Sequence, residues 1–163
     1  MILGNVQTLC NKMDKVHANV QFSDEFRTCS SLCFSETCLN ETIIDTNVCV
    51  EGFTLYRGER TKESGKKRGG GGVCVFFNKK WSHPNSVTVK HKHCSPAVEI
   101  LAVGIHPHYL PREFSHVLVT VVYVPPSADA KEAADTIASH MHDLDDRVPN
   151  AIKIITGDLT TVT

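Results

Sequence analysis

Apolar and polar positions along the chain change their period several times, and each change predicts an element. Ile2 to Leu9 reads as a buried strand that carries Asn5. From about Lys12 to Phe26 the period lengthens to that of a helix, with Met13, Val16, His17 and Val20 on one face and Asn11 with Asp14 as a capping pair. Ser31 to Phe34 is a second strand, which delivers Glu36 to its far end. Strand, helix and strand in this order predict a parallel pair joined by a crossover helix.

Beyond Gly52 the pattern becomes a succession of strands: Phe53–Arg57, Val73–Asn78, Val87–His91, Val98–Ile105 and Val117–Val124. Between the first two of these, TKESGKKRGGGG (61–72) has the composition of a turn or mobile loop. Pro125 and Pro126 break the last strand. A second helix is predicted from about Ala130 to Leu144, with Asp129 and Glu132 as its capping pair. Ala130, Ala133, Ala134, Ile137, Ala138, Met141 and Leu144 form its apolar stripe, and Pro149 closes it. The final run, AIKIITGD (151–158), ends on glycine and aspartate. A glycine there lets the backbone turn and approach a ligand closely, and Asp158 then stands at the carboxyl edge of a sheet. An Asp-initiated turn is the plainer reading of the same residues. Neither a repeat nor a boundary divides the pattern, so one α/β domain over 1–163 is expected.

Composition narrows the class. The 163 residues, 41% hydrophobic and 21% charged, suit one globular domain with a real core. No apolar run approaches bilayer length, so no membrane partner is expected. The start, MILGNVQTLC, lacks the basic flank and long apolar core of a secretory signal, which predicts an intracellular protein that is not secreted. Seven cysteines, odd in number and scattered, fit reduced thiols better than a disulfide framework.

A net charge of −1 argues against a general nucleic-acid binder, but the distribution is uneven. From Arg57 to Lys92 ten Lys and Arg face only Glu59 and Glu63, whereas from Asp129 to Asp146 six acidic residues face only Lys131. One region is therefore suited to phosphates and the other to solvent. Lys66, Lys67 and Arg68 beside four glycines are candidate phosphate contacts. Their spacing fails the nucleotide P-loop pattern and no helix follows, so a basic surface loop is the better reading and no nucleotide cofactor is expected. Weak, salt-sensitive contact with DNA phosphates is the most such a loop offers.

Three His-x-His pairs occur: His91/His93, His106/His108 and His140/His142. The first pair shares a strand face and precedes Cys94, as zinc ligands can. The third falls on a helix, where a two-residue step points the rings apart, and no fourth ligand stands at a familiar spacing. A structural zinc site is not expected on this basis.

Polar residues where apolar strands end carry the candidate chemistry: Asn5, Glu36, Tyr123 and Asp158. Glu36 is a hard oxygen ligand for Mg²⁺, Asp158 can orient or deprotonate a water, and Asn5 and the Tyr123 hydroxyl can hold phosphate oxygens. Such a set serves phosphodiester hydrolysis. The plainer readings are a solvated carboxylate, a turn asparagine and a half-buried strand tyrosine.

The segments GNVQTLCNKMD (4–14), LCFSETCLN (32–40), GFTLYRGERTKESGKKRGGGGVCVFFNKKW (52–81), LPREFSHVLVTVVYVPPSA (110–128) and ITGDLT (155–160) follow one another in a recognisable order. Together they resemble the endonuclease/exonuclease/phosphatase superfamily, and within it the apurinic-type endonuclease domain of LINE-type (non-LTR) retrotransposons. The resemblance implies a four-layer α/β/β/α sandwich of DNase I-like fold, of which this chain would be the amino-terminal portion. It implies a metal site for Mg²⁺ or Mn²⁺ at Glu36 and Asn5, a catalytic centre at Asp158, Tyr123 and Asn5, and DNA as partner in the nucleus. The implied reaction is the nicking of target DNA.

Departures from the pattern temper that expectation. The family's GDFN stands here as GDLT, so Thr160 is a degenerate position where a carboxamide should position phosphate and water. Cys38 replaces a tryptophan, and the glycine run 69–72 is one residue longer than the family's. The family's domain also continues to a second Asp and a late Asp-His pair that this chain lacks, so weak or absent activity is expected. A sheet face left uncovered would promote self-association. A phosphatase of the same superfamily and a non-catalytic interaction fragment are the alternatives.

Overall fold

The computed structural model of the protein describes residues 1–60 and 70–159. Within them the chain forms two four-stranded sheets. The first contains β1 (Ile2–Asn5), β2 (Ser31–Ser35), β3 (Phe53–Gly58) and β4 (Val73–Asn78), in the order β1-β2-β4-β3. The second contains β5 (Val87–Cys94), β6 (Glu99–Ile105), β7 (His116–Tyr123) and β8 (Ala151–Asp158), in chain order. Helices α1 (Met13–Phe22) and α2 (Asp24–Thr28) connect the parallel pair β1/β2, and α3 (Ala130–Arg147) connects the parallel pair β7/β8. All other pairings are antiparallel.

Side-chain alternation along the central strands builds the layers. On β4, Cys74 and Phe76 face Met13 and Val16 of α1, while Val73, Val75 and Phe77 face the other sheet. On β6, Leu101, Val103 and Ile105 meet them from across the gap, while Ile100 and Ala102 turn outward. Ala133 and Leu144 of α3 cover that outer face. Strands buried on both faces need unbroken apolar runs, which is why β4 and β6 read VCVFFN and EILAVGI. The order is helix, sheet, sheet, helix: the four-layer α/β/β/α sandwich.

Several expectations need correction. The inner face of the first sheet is not left in water: the second sheet lies within this chain and covers it with Leu101, Val103, Val119 and Val121. The self-association expected through an uncovered face loses its basis. The first strand stops at Asn5 and alternates between partial burial and exposure, because it is an edge strand with β2 alone beside it. The first helix is two, parting at Ser23, and Asn11 and Asp14 do not cap it: Lys12 occupies the N-cap without a side-chain bond. The other capping prediction holds, since Asp129 accepts the backbone N–H of Glu132 at 2.8 Å. No disulfide joins the cysteines among the described residues, and Cys33 and Cys74 are buried. Among the described residues no helix is long and apolar enough to cross a membrane.

Candidate active site

Four strands end together. Asn5 closes β1 opposite Ser35 at the close of β2, so Glu36 is the first residue beyond that strand. Tyr123 closes β7 opposite Asp158 at the close of β8. In each sheet the parallel pair thus presents its carboxyl ends at one edge, and the stacking of the sheets brings the two edges together. Ligand sites in open α/β sheets form at such edges, where the sheet fixes residues that the following loops leave accessible.

At this edge two hydrogen bonds between site side chains cross from sheet to sheet. The Asn5 carboxamide donates through Nδ2 to Oδ2 of Asp158 at 3.1 Å. The Tyr123 hydroxyl donates to Oε1 of Glu36 at 2.7 Å. Asn5 is held in turn by its Oδ1, which accepts the Gln7 backbone N–H at 3.3 Å. A cleft of about 190 Å³ opens beside these groups, lined by Leu3, Asn5, Cys33, Ser35, Val121 and Asp158. All four residues singled out from the sequence therefore converge on one place, linked in pairs.

The loops that hold them are strained. Gln7, Thr8, Glu36 and Cys38 adopt positive φ, at 44°, 85°, 53° and 52°. Non-glycine residues reach this region only when their surroundings impose it, and such residues concentrate at functional sites. Here the imposing bonds are from backbone to backbone. Thr8 N–H donates to Glu36 O at 2.8 Å and Leu9 N–H to Thr37 O at 2.9 Å. On the other side Cys38 N–H donates to Gly71 O at 2.8 Å and Thr37 N–H to Gly72 O at 3.1 Å. The turn carrying Glu36 is thus clamped between the β1 loop and the end of the glycine run. Gly157 has φ 142°, and a Cβ there would overlap the Val122 carbonyl oxygen, so only glycine can precede Asp158 in this register.

Glu99, which the sequence reading passed over, lies beneath the site. It opens β6 opposite Tyr123 and is 1% exposed, and its carboxylate takes the Arg60 guanidinium and the Gly72 backbone N–H. Burial pushes its carboxyl above the usual range, with Arg60 and the Gly72 N–H opposing and the charge of Glu36 adding. One signal was present: a lone carboxylate opening the apolar run EILAVGI. Nothing in the sequence marked Arg60 as its partner. Tyr123 is held well above the ordinary phenol range, first by burial and then by its bond to Glu36 and the charges of Glu36 and Glu99. Its hydroxyl stays protonated and acts as a donor.

The atoms of Glu36, Asp158 and Asn5 able to ligate a metal are all oxygens, the donor set of a hard divalent cation and not of a thiolate- or imidazole-seeking one. The residues fit Mg²⁺ or Mn²⁺ in that respect. Thr160, Lys66, Lys67 and Arg68 lie outside the described residues.

No family model and no curated protein matches this sequence. Solved structures do. D. rerio TDP2 complexed with a single-strand DNA product is 11% identical with a TM-score of 0.57, aligned over 95% of this chain and 56% of its own. The human Nocturnin catalytic domain with a bound sulfate anion is 10% identical with a TM-score of 0.61, over 98% of this chain and 62% of its own. The AP endonuclease LMAP from Leishmania major is 16% identical with a TM-score of 0.63, over 96% of this chain and 53% of its own. The chain thus spans between 53% and 62% of the length of these three structures. Two mixed sheets stacked between helices, with likeness of this extent at such low identity, show that the chain has the DNase I-like fold.

Proposed function

We propose that the cleft at the ends of β1, β2, β7 and β8 is a phosphodiester-hydrolysing site that takes DNA and a divalent metal, Mg²⁺ or Mn²⁺. The observation that carries this reading is the pair of bonds between sheets, Asn5 to Asp158 and Tyr123 to Glu36, which gathers two carboxylates, a carboxamide and a phenol at one edge. Supporting it are two fold neighbours, an AP endonuclease and a TDP2 bound to a single-strand DNA product.

Each side chain then has a task. Glu36 is the principal metal ligand, with Asn5 beside it, and the Tyr123 hydroxyl fixes the orientation of the Glu36 carboxylate. Asp158, aligned by the Asn5 carboxamide, accepts the proton of the attacking water while the water oxygen forms its bond to phosphorus; the bond from phosphorus to the leaving sugar oxygen breaks on the opposite side, and that oxygen takes a proton from solvent. When bound, the metal neutralises charge developing on the phosphate. Glu99 touches nothing that reacts; it braces the Gly71-Gly72 backbone against the Glu36 turn.

The finer reading is that the chain derives from a LINE-type retrotransposon endonuclease acting in the nucleus, and that its turnover is slow because Thr160 replaces the carboxamide of the GDFN motif. Support for it rests in the ordered motifs from GNVQTL to GDLT. Genomic sequence that resumes with a reverse transcriptase frame downstream of this one would bear on it directly.

Two measurements test the site. Mn²⁺ binding followed by electron paramagnetic resonance should fall about tenfold or more in Glu36→Gln. Slow, metal-dependent nicking of supercoiled plasmid should vanish in both Glu36→Gln and Asp158→Asn. Equal Mn²⁺ binding in wild type and Glu36→Gln, or nicking that survives both substitutions, would overturn the proposal. Phosphate release from a monoester without plasmid nicking would favour a phosphatase instead.

A further inference from the structure

On the far edge of the second sheet, three imidazoles meet. His91 and His93 project from one face of β5 with their rings parallel to within 11° and 6.4 Å apart. His140 comes down from α3 between them, 4.2 Å from the first ring and 4.5 Å from the second. One nitrogen on each ring lies within 4.8 Å of the others. The buried Nε2 of His91, Nε2 of His93 and Nδ1 of His140 have no hydrogen-bond partner. A buried polar atom left unpaired is costly, and three such atoms on rings that meet in one place ask for a common partner.

We propose that His91, His93 and His140 form a binding site for a divalent transition ion, Zn²⁺ first, that ties strand β5 to helix α3. Tetrahedral zinc bonded to three imidazole nitrogens at about 2.0 Å holds them roughly 3.3 Å apart, so the ion closes the cluster by small side-chain rotations and leaves a fourth position for water. Imidazole nitrogens suit Zn²⁺, Ni²⁺ and Cu²⁺ and disfavour Mg²⁺, so this site and the oxygen donors Glu36, Asn5 and Asp158 select different metals. The Asp143 charge, one turn along α3 from His140, acts favourably on a cation there, against that of Arg147.

The residue that the sequence concealed is His140. A two-residue step on a helix does separate it from His142, which is exposed beside Asp146. Only the packing of α3 on the second sheet brings His140 alone to the strand pair. The site uses none of the residues assigned to hydrolysis and stands or falls apart from them.

The test uses the 163-residue chain, stripped with a chelator and titrated with ZnCl₂ and, in parallel, CoCl₂. Wild type should take up one equivalent of Zn²⁺ with a rise in Tm, and Co²⁺ should show the visible bands of a tetrahedral site. His140→Ala and His93→Gln, both checked for fold by circular dichroism, should weaken Zn²⁺ binding about tenfold or more and abolish the Tm rise. Glu36→Gln and Asp158→Asn should retain both. Zn²⁺ uptake unchanged in His140→Ala and His93→Gln, or a wild type that neither binds Zn²⁺ nor shows the Co²⁺ bands, would overturn the proposal.

Discussion

The hydroxyl of Tyr123 donates to Oε1 of Glu36 at 2.7 Å across 87 residues of sequence. This bond joins the end of β7 in one sheet to the turn after β2 in the other, and Tyr123 is itself 5% exposed within the core between the sheets.

Removing the hydroxyl should therefore act on stability as well as on the site. Tyr123→Phe should cost about 0.5–1.5 kcal/mol in urea unfolding. The phenol titrates higher in the folded state than its ordinary value near 10, so the unfolded chain loses that proton first as pH rises. Stability from this group is complete below about pH 10 and falls above it. Tyr123→Phe should remove its share of the alkaline loss, leaving that of Tyr56, which burial also raises. Parallel melts of the two proteins above pH 10 and well below it would show the difference.

Glu99 distinguishes a buried charge from a buried shape. Glu99→Ala leaves the Arg60 guanidinium and the Gly72 N–H without their acceptor and should cost about 2–4 kcal/mol. Glu99→Gln keeps the volume and one acceptor oxygen and should cost less. Because the folded carboxyl titrates above its ordinary value, wild type should lose stability relative to Glu99→Gln as pH rises from about 4 to 7. Urea titrations of the three proteins at both ends of that range would check the order and the sign.

Gly157 admits no side chain. Gly157→Ala should cost about 3 kcal/mol or more, since the new Cβ would overlap the Val122 carbonyl and φ stays at 142°. Gly52 has φ 81° but open space around it, so Gly52→Ala should cost only about 1 kcal/mol. Thermal unfolding of the pair would separate steric overlap from backbone strain.

The rim of the second sheet should tolerate what its centre does not. Ile155 on edge strand β8 is 49% exposed, and Ile155→Lys should change stability by no more than about 0.5 kcal/mol. Leu101, fully buried between the sheets, should lose about 2–5 kcal/mol as Leu101→Ala. Sedimentation of the wild type bears on the covered inner face: a monomer is expected, and association through that face would contradict the packing.

Local residue patterns carried much of the secondary structure. Val73–Asn78 is a strand with the same bounds read from its apolar run, and Asp129 caps α3 because its side chain reaches a free N–H three residues on. Legibility failed where local signals competed or had no partner nearby. Asn11 and Asp14 looked like caps, yet the chain enters α1 through a 3-10 turn at Leu9–Lys12 that leaves them no role there. Glu99 disappeared into an apolar run because its partners lie on other segments.

Sequence alone determined the α/β class, the first parallel strand pair and the four polar residues at strand ends, because apolar period, caps and breakers act over a few residues. Tertiary structure decided that Asn5 bonds Asp158, that Tyr123 bonds Glu36, that the second sheet covers the first, and that His140 joins His91 and His93. Those are contacts between residues dozens to more than a hundred positions apart. Their geometry is set by how sheets stack and helices dock, which no local pattern encodes.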